Sequence, residues 1–228
     1  PLNRKSRIKM KKNMKNLSQI TLVGMLVILA ASCTDTKEYL FNGENLDGWT
    51  IFVSDSSVDA EDFFYVNEGV IETIGVPNGY LRTVKEYSNY NLHVEWRYTE
   101  EPTNSGIFLH TTGPDLWAVN HYQGQLKHGN AGDFIVNGVG ISATVQDTVY
   151  SSTEAVKPLL PKLHDSNEKP AGEWNSYDIT CKGSTIELRV NGLLQNVATD
   201  CSHSKGNIGL QAEGSKIQFR NIWLEEEK

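Results

Sequence analysis

The chain is poor in cysteine, in clustered positive charge and in long apolar runs, and each shortage closes a class of function. Three cysteines in 228 residues are too few for a disulfide-dense scaffold, so a hydrophobic core must supply the stability. Lysine and arginine total 21 against 28 aspartates and glutamates, a formal net charge of -7. Nucleic acid, which is held by clustered Lys and Arg, is set aside as a partner on that ground. Serine nucleophile elbow, Walker loop, dinucleotide fingerprint and paired-cysteine zinc motif are all absent from the sequence. The stretch "GNAGDF" has too little glycine spacing, and no helical pattern after it, to cradle a phosphate. A site on this chain is expected to take a neutral polar ligand.

The basic residues that do cluster stand near the N-terminus, "RKSRIKMKKNMK", ahead of the apolar run Ile20 to Cys33, "ITLVGMLVILAASC". That run falls short of the about 20 apolar residues of a membrane span, and its parts are those of a secretory signal. Ala30, Ala31 and Ser32 directly before Cys33 resemble a bacterial lipobox. The resemblance implies that Cys33 becomes a lipidated N-terminus, a lipid anchor to a membrane, with everything before it removed, so that 1–33 reads as N-terminal extension and lipoprotein signal peptide. A start at Met10 or Met14 gives a signal of ordinary length, and an uncleaved anchor is the alternative. Residues 34–37 then read as a short linker and 38–228 as the folded domain. Acidic "CTDTKE" is compatible with an exported outer-membrane lipoprotein, on the periplasmic or the cell-surface side. Of the cysteines, Cys181 and Cys201 remain, as a disulfide or as two buried thiols.

From Glu38 onward the pattern is strand after strand. "NLHVEWRY" sets Leu92, Val94, Trp96 and Tyr98 on one face and His93, Glu95 and Arg97 on the other. "TIELRVNGLLQNV" alternates Ile186, Leu188 and Val190 and then turns at Asn191-Gly192, a strong hairpin signal. "GNIGLQAEG" sets Ile208, Leu210 and Ala212 against Gly209, Gln211 and Glu213, and "KIQFRNIWLEE" changes phase between Phe219 and Ile222, which predicts a bulge. Without a comparably long helical pattern, the expected fold class is all-β, an antiparallel sandwich of two sheets. Gln146 to Gly172 is poorly patterned and reads as a long rim loop.

Several ordered motifs then carry a resemblance: "LFNGENLDGW", "NSGIFLH", "NAGDF", "GEWNSYDITCKGSTIELRVNG" and "GNIGLQAEGSKIQFRNIWLEE". Together they resemble the 3-keto-disaccharide hydrolase family, also described as 3-keto-glucoside lyase and hydratase, across nearly the whole of Glu38 to Lys228. The resemblance implies a concanavalin-A-like jelly roll with a carbohydrate site on the concave sheet, and activity on 3-keto sugars in some members.

Such chemistry has definite requirements. A ketone at C3 of a glycoside acidifies the C2 proton, so the site needs a base near C2, a cation or donor at the enolate oxygen, and an acid for the leaving group. The family's usual Ile-Glu-any-Gln pattern reads Tyr122-Gln123-Gly124-Gln125 here, and a glutamine takes up no proton at working pH although it still binds hydroxyls. Gln123, Gln125 and Gln211 are therefore expected to hold sugar hydroxyls. His121 is a substitute base, but strand alternation is read as turning it away from the two glutamines. Asp133 is the surviving carboxylate of "GNAGDF", either over a ligand or fixing its own turn. Arg82 and Arg220 would steady an enolate or a hydroxyl, or sit in salt bridges. Glu95 would contact substrate if its face is the concave one, and is otherwise solvated. Trp117 would stack on a pyranose ring or plug the core. His110 is the other candidate histidine for a catalytic role, and with His121 and His128 it leaves a divalent metal ion open as a cofactor, although the spacing matches no metal motif.

Overall fold

The computed structural model describes residues 37–117 and 119–227. The lipobox and Cys33 lie outside the described residues, as does most of the linker 34–37. The rest forms two antiparallel sheets. The smaller runs in the order β12 (Leu159–Leu160), β9 (Phe134–Asn137), β8 (Asn120–Gln125), β7 (Gly106–Thr112), β16 (Asn207–Ala212), β5 (Gly79–Thr83), β2 (Trp49–Val53). The larger runs β11 (Thr148–Ser151), β10 (Ser142–Val145), β15 (Leu193–Thr199), β14 (Thr185–Val190), β13 (Asn175–Lys182), β6 (Tyr90–Tyr98), β17 (Ile217–Glu226), β4 (Val70–Thr73), β3 (Phe64–Asn67), with β1 (Lys37–Tyr39) also on β17. One short helix, α1 (Ala60–Phe63), precedes β3 and is capped by Asp59, whose side chain accepts the Glu61 N–H.

The sheets face each other across one apolar core. β6 alternates as expected, with Leu92, Val94, Trp96 and Tyr98 inward and His93, Glu95 and Arg97 outward. From the smaller sheet, Leu81, Ile107, Leu109, Tyr122, Phe134 and Leu210 join the same cluster. Burying each of these large side chains stabilises the fold by roughly 1.5–3 kcal/mol, so the alternation itself fixes which face of each strand is left for function. The Asn191-Gly192 turn joins β14 to β15 with both residues at positive φ, 47° and 81°, a conformation open to Asn and Gly. The phase change in β17 is a register shift between Arg220 and Trp223, with Asn221 at φ 49°. The segment expected to be a long rim loop carries two strands, β11 and β12, which extend opposite sheets. Cys181 and Cys201 are free buried thiols, pushed up to about 12 by burial.

Candidate functional site

On β8, Tyr122 belongs to the core, so the alternate residues His121, Gln123 and Gln125 emerge together on the outward face of the smaller sheet. The expected divergence of His121 is corrected: residues two apart on a strand share a face, and His121 Nε2 lies 3.3 Å from Gln123 Oε1. Gln211 and Glu213, out of phase with Leu210 and Ala212, reach the same surface from β16.

A hydrogen-bonded row results. Gln123 Nε2 donates to Gln125 Oε1 and to Gln211 Oε1, each at 3.1 Å. Gln211 Nε2 donates to Glu213 Oε2 at 2.9 Å, and Asn104 Nδ2 donates to the same oxygen at 2.7 Å. Gln125 Oε1 also accepts the backbone N–H groups of Leu126 and Lys127 at 3.0 and 3.2 Å. Space for the Gln123 amide depends on Gly106 of β7, because a Cβ there would overlap Gln123 Nε2.

The row forms the floor of a cleft of about 300 Å³, walled by Trp117, Asn137, Lys157 and Leu159. Glu213 is the only carboxylate lining it among the described residues, and both hydrogen bonds it receives there fall on Oε2. Two amide oxygens of lining residues, Asn104 Oδ1 and Asn137 Oδ1, are buried without a partner among the described residues. An unsatisfied buried acceptor costs roughly 1–3 kcal/mol, and a ligand hydroxyl is a donor that relieves it.

Burial holds His121 down to about 4, against the bonds to Val119 O and Gln123 that favour its charged form and with Lys157 adding to the depression. Its Nδ1 donates to Val119 O at 2.7 Å and its ring stacks on Phe108, centroids 3.9 Å apart. Trp117, half-buried, stands on a loop tied down at Asp115, which accepts Arg82 Nη2 at 2.9 Å and the Tyr80 hydroxyl at 3.2 Å. Arg82 also donates to Gly113 O at 3.0 Å.

The structure thus gathers His121, Gln123, Gln125, Gln211 and Trp117, and it separates the other expected site residues from them. Arg82 does not line the cleft; it anchors the Trp117 loop. Asp133 Oδ1 accepts the Lys162 N–H at 2.9 Å and fixes its own turn against the segment after β12. His110 sits at positive φ, 50°, beside the register shift of β7, which turns its ring inward between Tyr90 and Tyr122. Burial there holds its imidazole down to about 4. Glu95 and Arg220 pair with each other at 2.7 Å on the outward face of the larger sheet. Burial works against ionised Glu95, but the Arg220 and Asn221 hydrogen bonds outweigh it and lower its pKa. His128 faces Glu168 at 3.5 Å, and among the described residues no three His, Cys, Asp or Glu side chains converge as metal ligands.

Asn104, Phe108, Asn137, Lys157, Leu159 and Glu213 were not singled out from the sequence. For Glu213 the signal was present, since it shares with Gln211 the odd phase of "GLQAEG". The others come from separate strands and loops and leave no local pattern.

Residues 36–225 match the family described as 3-keto-alpha-glucoside-1,2-lyase-like domain. No curated protein matches the chain. Among solved structures the chain is similar to two candidate glycosyl hydrolases from Parabacteroides distasonis. One has 21% identity, a TM-score of 0.61, and coverage of 84% of this chain and 94% of that one. The other has 24% identity, a TM-score of 0.60, and coverage of 84% and 99%. It is also similar to the carbohydrate-binding module CBM66 from Bacillus subtilis, with 11% identity, a TM-score of 0.55, and coverage of 83% and 100%. At these identities the likeness shows the jelly-roll sandwich and no more.

Proposed function

The chain belongs to the 3-keto-alpha-glucoside-1,2-lyase-like family, and from that premise we propose that its cleft cleaves 3-keto-glycosides by elimination and then hydration. The observation that carries the reading is the cleft floor: a row of amides, ended by one carboxylate, with two unpaired amide oxygens close by. Amides donate and accept at once, which suits the mixed donor and acceptor character of sugar hydroxyls. Trp117 adds an apolar face for the C–H edge of a pyranose ring.

In the proposed reaction the C3 ketone acidifies the C2–H, and Glu213 Oε1 takes that proton. The electron pair forms the enolate and then the C1–C2 double bond as the C1–O bond breaks, and the departing oxygen gains a proton. Water then adds across the double bond, its oxygen to C1 and a proton to C2. Overall, glycoside and water give the 3-keto sugar and an alcohol. Donors for the enolate oxygen come from the amide row or from Lys157.

A second reading, sugar binding without turnover, is favoured by Gln123, which stands where the family pattern places a carboxylate. Both readings are tested on a panel of glucosides and their 3-keto forms, with chelator and again with divalent metals. Turnover of the keto forms alone supports elimination. Sugar-dependent rise in melting temperature with no product supports binding alone.

The exported, lipid-anchored location is also a proposal, supported by the sequence before Cys33. Mass analysis of the N-terminus in a bacterial host tests it, and a chain still beginning at Met14 would refute it.

A further inference from the structure

We propose that positions 123 and 213 share a single negative charge, with Gln211 as the positioning residue that couples them. The directions of the amides require it. Two backbone N–H groups, from Leu126 and Lys127, converge on one end of the Gln125 side chain, so that end is its oxygen. An ionised Glu213 only accepts, so the end of Gln211 that faces it at 2.9 Å is its nitrogen, and the other end, facing Gln123, is its oxygen. Gln123 therefore meets two oxygens, each 3.1 Å away, with the same atom, and that atom must be a donor. An amide satisfies both. A carboxylate at 123 would set an oxygen against two oxygens whose orientations are fixed from elsewhere, and would add a second negative charge to the same buried row.

With its nitrogen committed, Gln123 presents Oε1 to His121 Nε2 at 3.3 Å, while His121 Nδ1 donates to Val119 O at 2.7 Å. The neutral ring has one N–H for these two acceptors; the shorter contact places it on Nδ1, so Nε2 and Gln123 Oε1 face each other as two acceptors with no hydrogen bond between them. Gln123 is thus the connector that an ionised Glu213 requires. The carboxylate of the row stands at Glu213, with Gln211 between it and Gln123.

This inference shares its cleft with the proposed elimination but is tested first without sugar, by a double-mutant cycle of Gln123→Glu and Glu213→Gln. In the parent background Gln123→Glu is expected to lower the melting temperature by several degrees. In the Glu213→Gln background the loss is expected to be clearly smaller, because Gln211 is free to turn and donate to the new carboxylate. Glu213→Gln alone is expected to keep the fold, since a glutamine oxygen still accepts from Asn104 and Gln211. In turnover, the double variant is expected to exceed Glu213→Gln by roughly tenfold or more, a restored proton acceptor being worth on the order of 100-fold at full alignment. Equal losses of melting temperature in both backgrounds would overturn the coupling. A coupled cycle in a protein that turns over no keto sugar would remove the elimination reading and leave the coupling standing.

Discussion

The outward faces of the two sheets both carry polar residues and use them in different ways. On the larger sheet the charged groups are mostly spent on neighbours, although His93 Nε2 is buried without a hydrogen-bond partner among the described residues. Glu95 holds Arg220 and Asn221, His93 Nδ1 lies 2.6 Å from Asp178, Arg97 donates to Gln218, and Arg97 and Arg220 both cover Trp174. On the smaller sheet the polar groups are mostly neutral amides, arranged around one carboxylate, with acceptors left over. A face whose charges are paired with one another offers a neutral ligand little, whereas a cleft lined by buried amide oxygens without partners is stabilised by a ligand that donates. The difference locates the site more securely than any single residue type does.

The largest effect that would sharpen this comparison comes from Glu213→Gln. Turnover of a 3-keto-glucoside is expected to fall by roughly 100- to 10,000-fold, the range for loss of a positioned proton acceptor, with the melting temperature nearly unchanged. Next is the response to acid. His110 and His121 are both held down to about 4 by burial, below their ordinary 6.5. Between those values the unfolded chain binds protons that the folded chain refuses, so stability is full above about pH 6.5 and is lost as pH falls toward 4. Each histidine contributes on the order of 3 kcal/mol to that loss at most. Urea unfolding at pH 7 and pH 5 should show the decline, and His110→Asn should flatten it.

Smaller effects separate the faces further. Gly106→Ala should cost about 1–3 kcal/mol, because the added Cβ overlaps Cγ and Cδ as well as Nε2 of the buried, hydrogen-bonded Gln123. By displacing the Gln123 amide it should also weaken sugar binding about tenfold, near the net worth of one hydrogen bond, as read by calorimetry. Smallest is Arg220→Ala. Its pair with Glu95 is partly exposed, with 41% of the Arg220 side chain accessible, so the expected loss is about 0–1 kcal/mol, with unaltered turnover. A large fall in turnover there would bring the outward face of the larger sheet into the reaction.

Most of the fold was legible from alternation. Leu92 to Tyr98, Ile186 to Val190 and the phase change after Phe219 each follow from a half-buried strand placing every second side chain in the core. The site was legible only in part. Gln123, Gln125, Gln211 and Trp117 stood out as sugar-holding types, and the structure does bring them together. His110 escaped because a bulge reverses the face that alternation assigns to it, and a bulge in β7 has no compositional mark. Arg82 and Asp133 escaped because their partners, Asp115 and the Lys162 N–H, are remote in sequence. Lys157 and Leu159 escaped because their segment has no periodicity, although it lies against the cleft.

The most direct test of the account sets one carboxylate from each face against the other in the same assay. Release of the C1 substituent from a 3-keto-glucoside would be followed for the parent protein, Glu213→Gln and Glu95→Gln. The account predicts that the parent and Glu95→Gln are active and that Glu213→Gln is nearly silent while still folded. Activity that survives in Glu213→Gln and disappears in Glu95→Gln would contradict it and move the site to the other sheet.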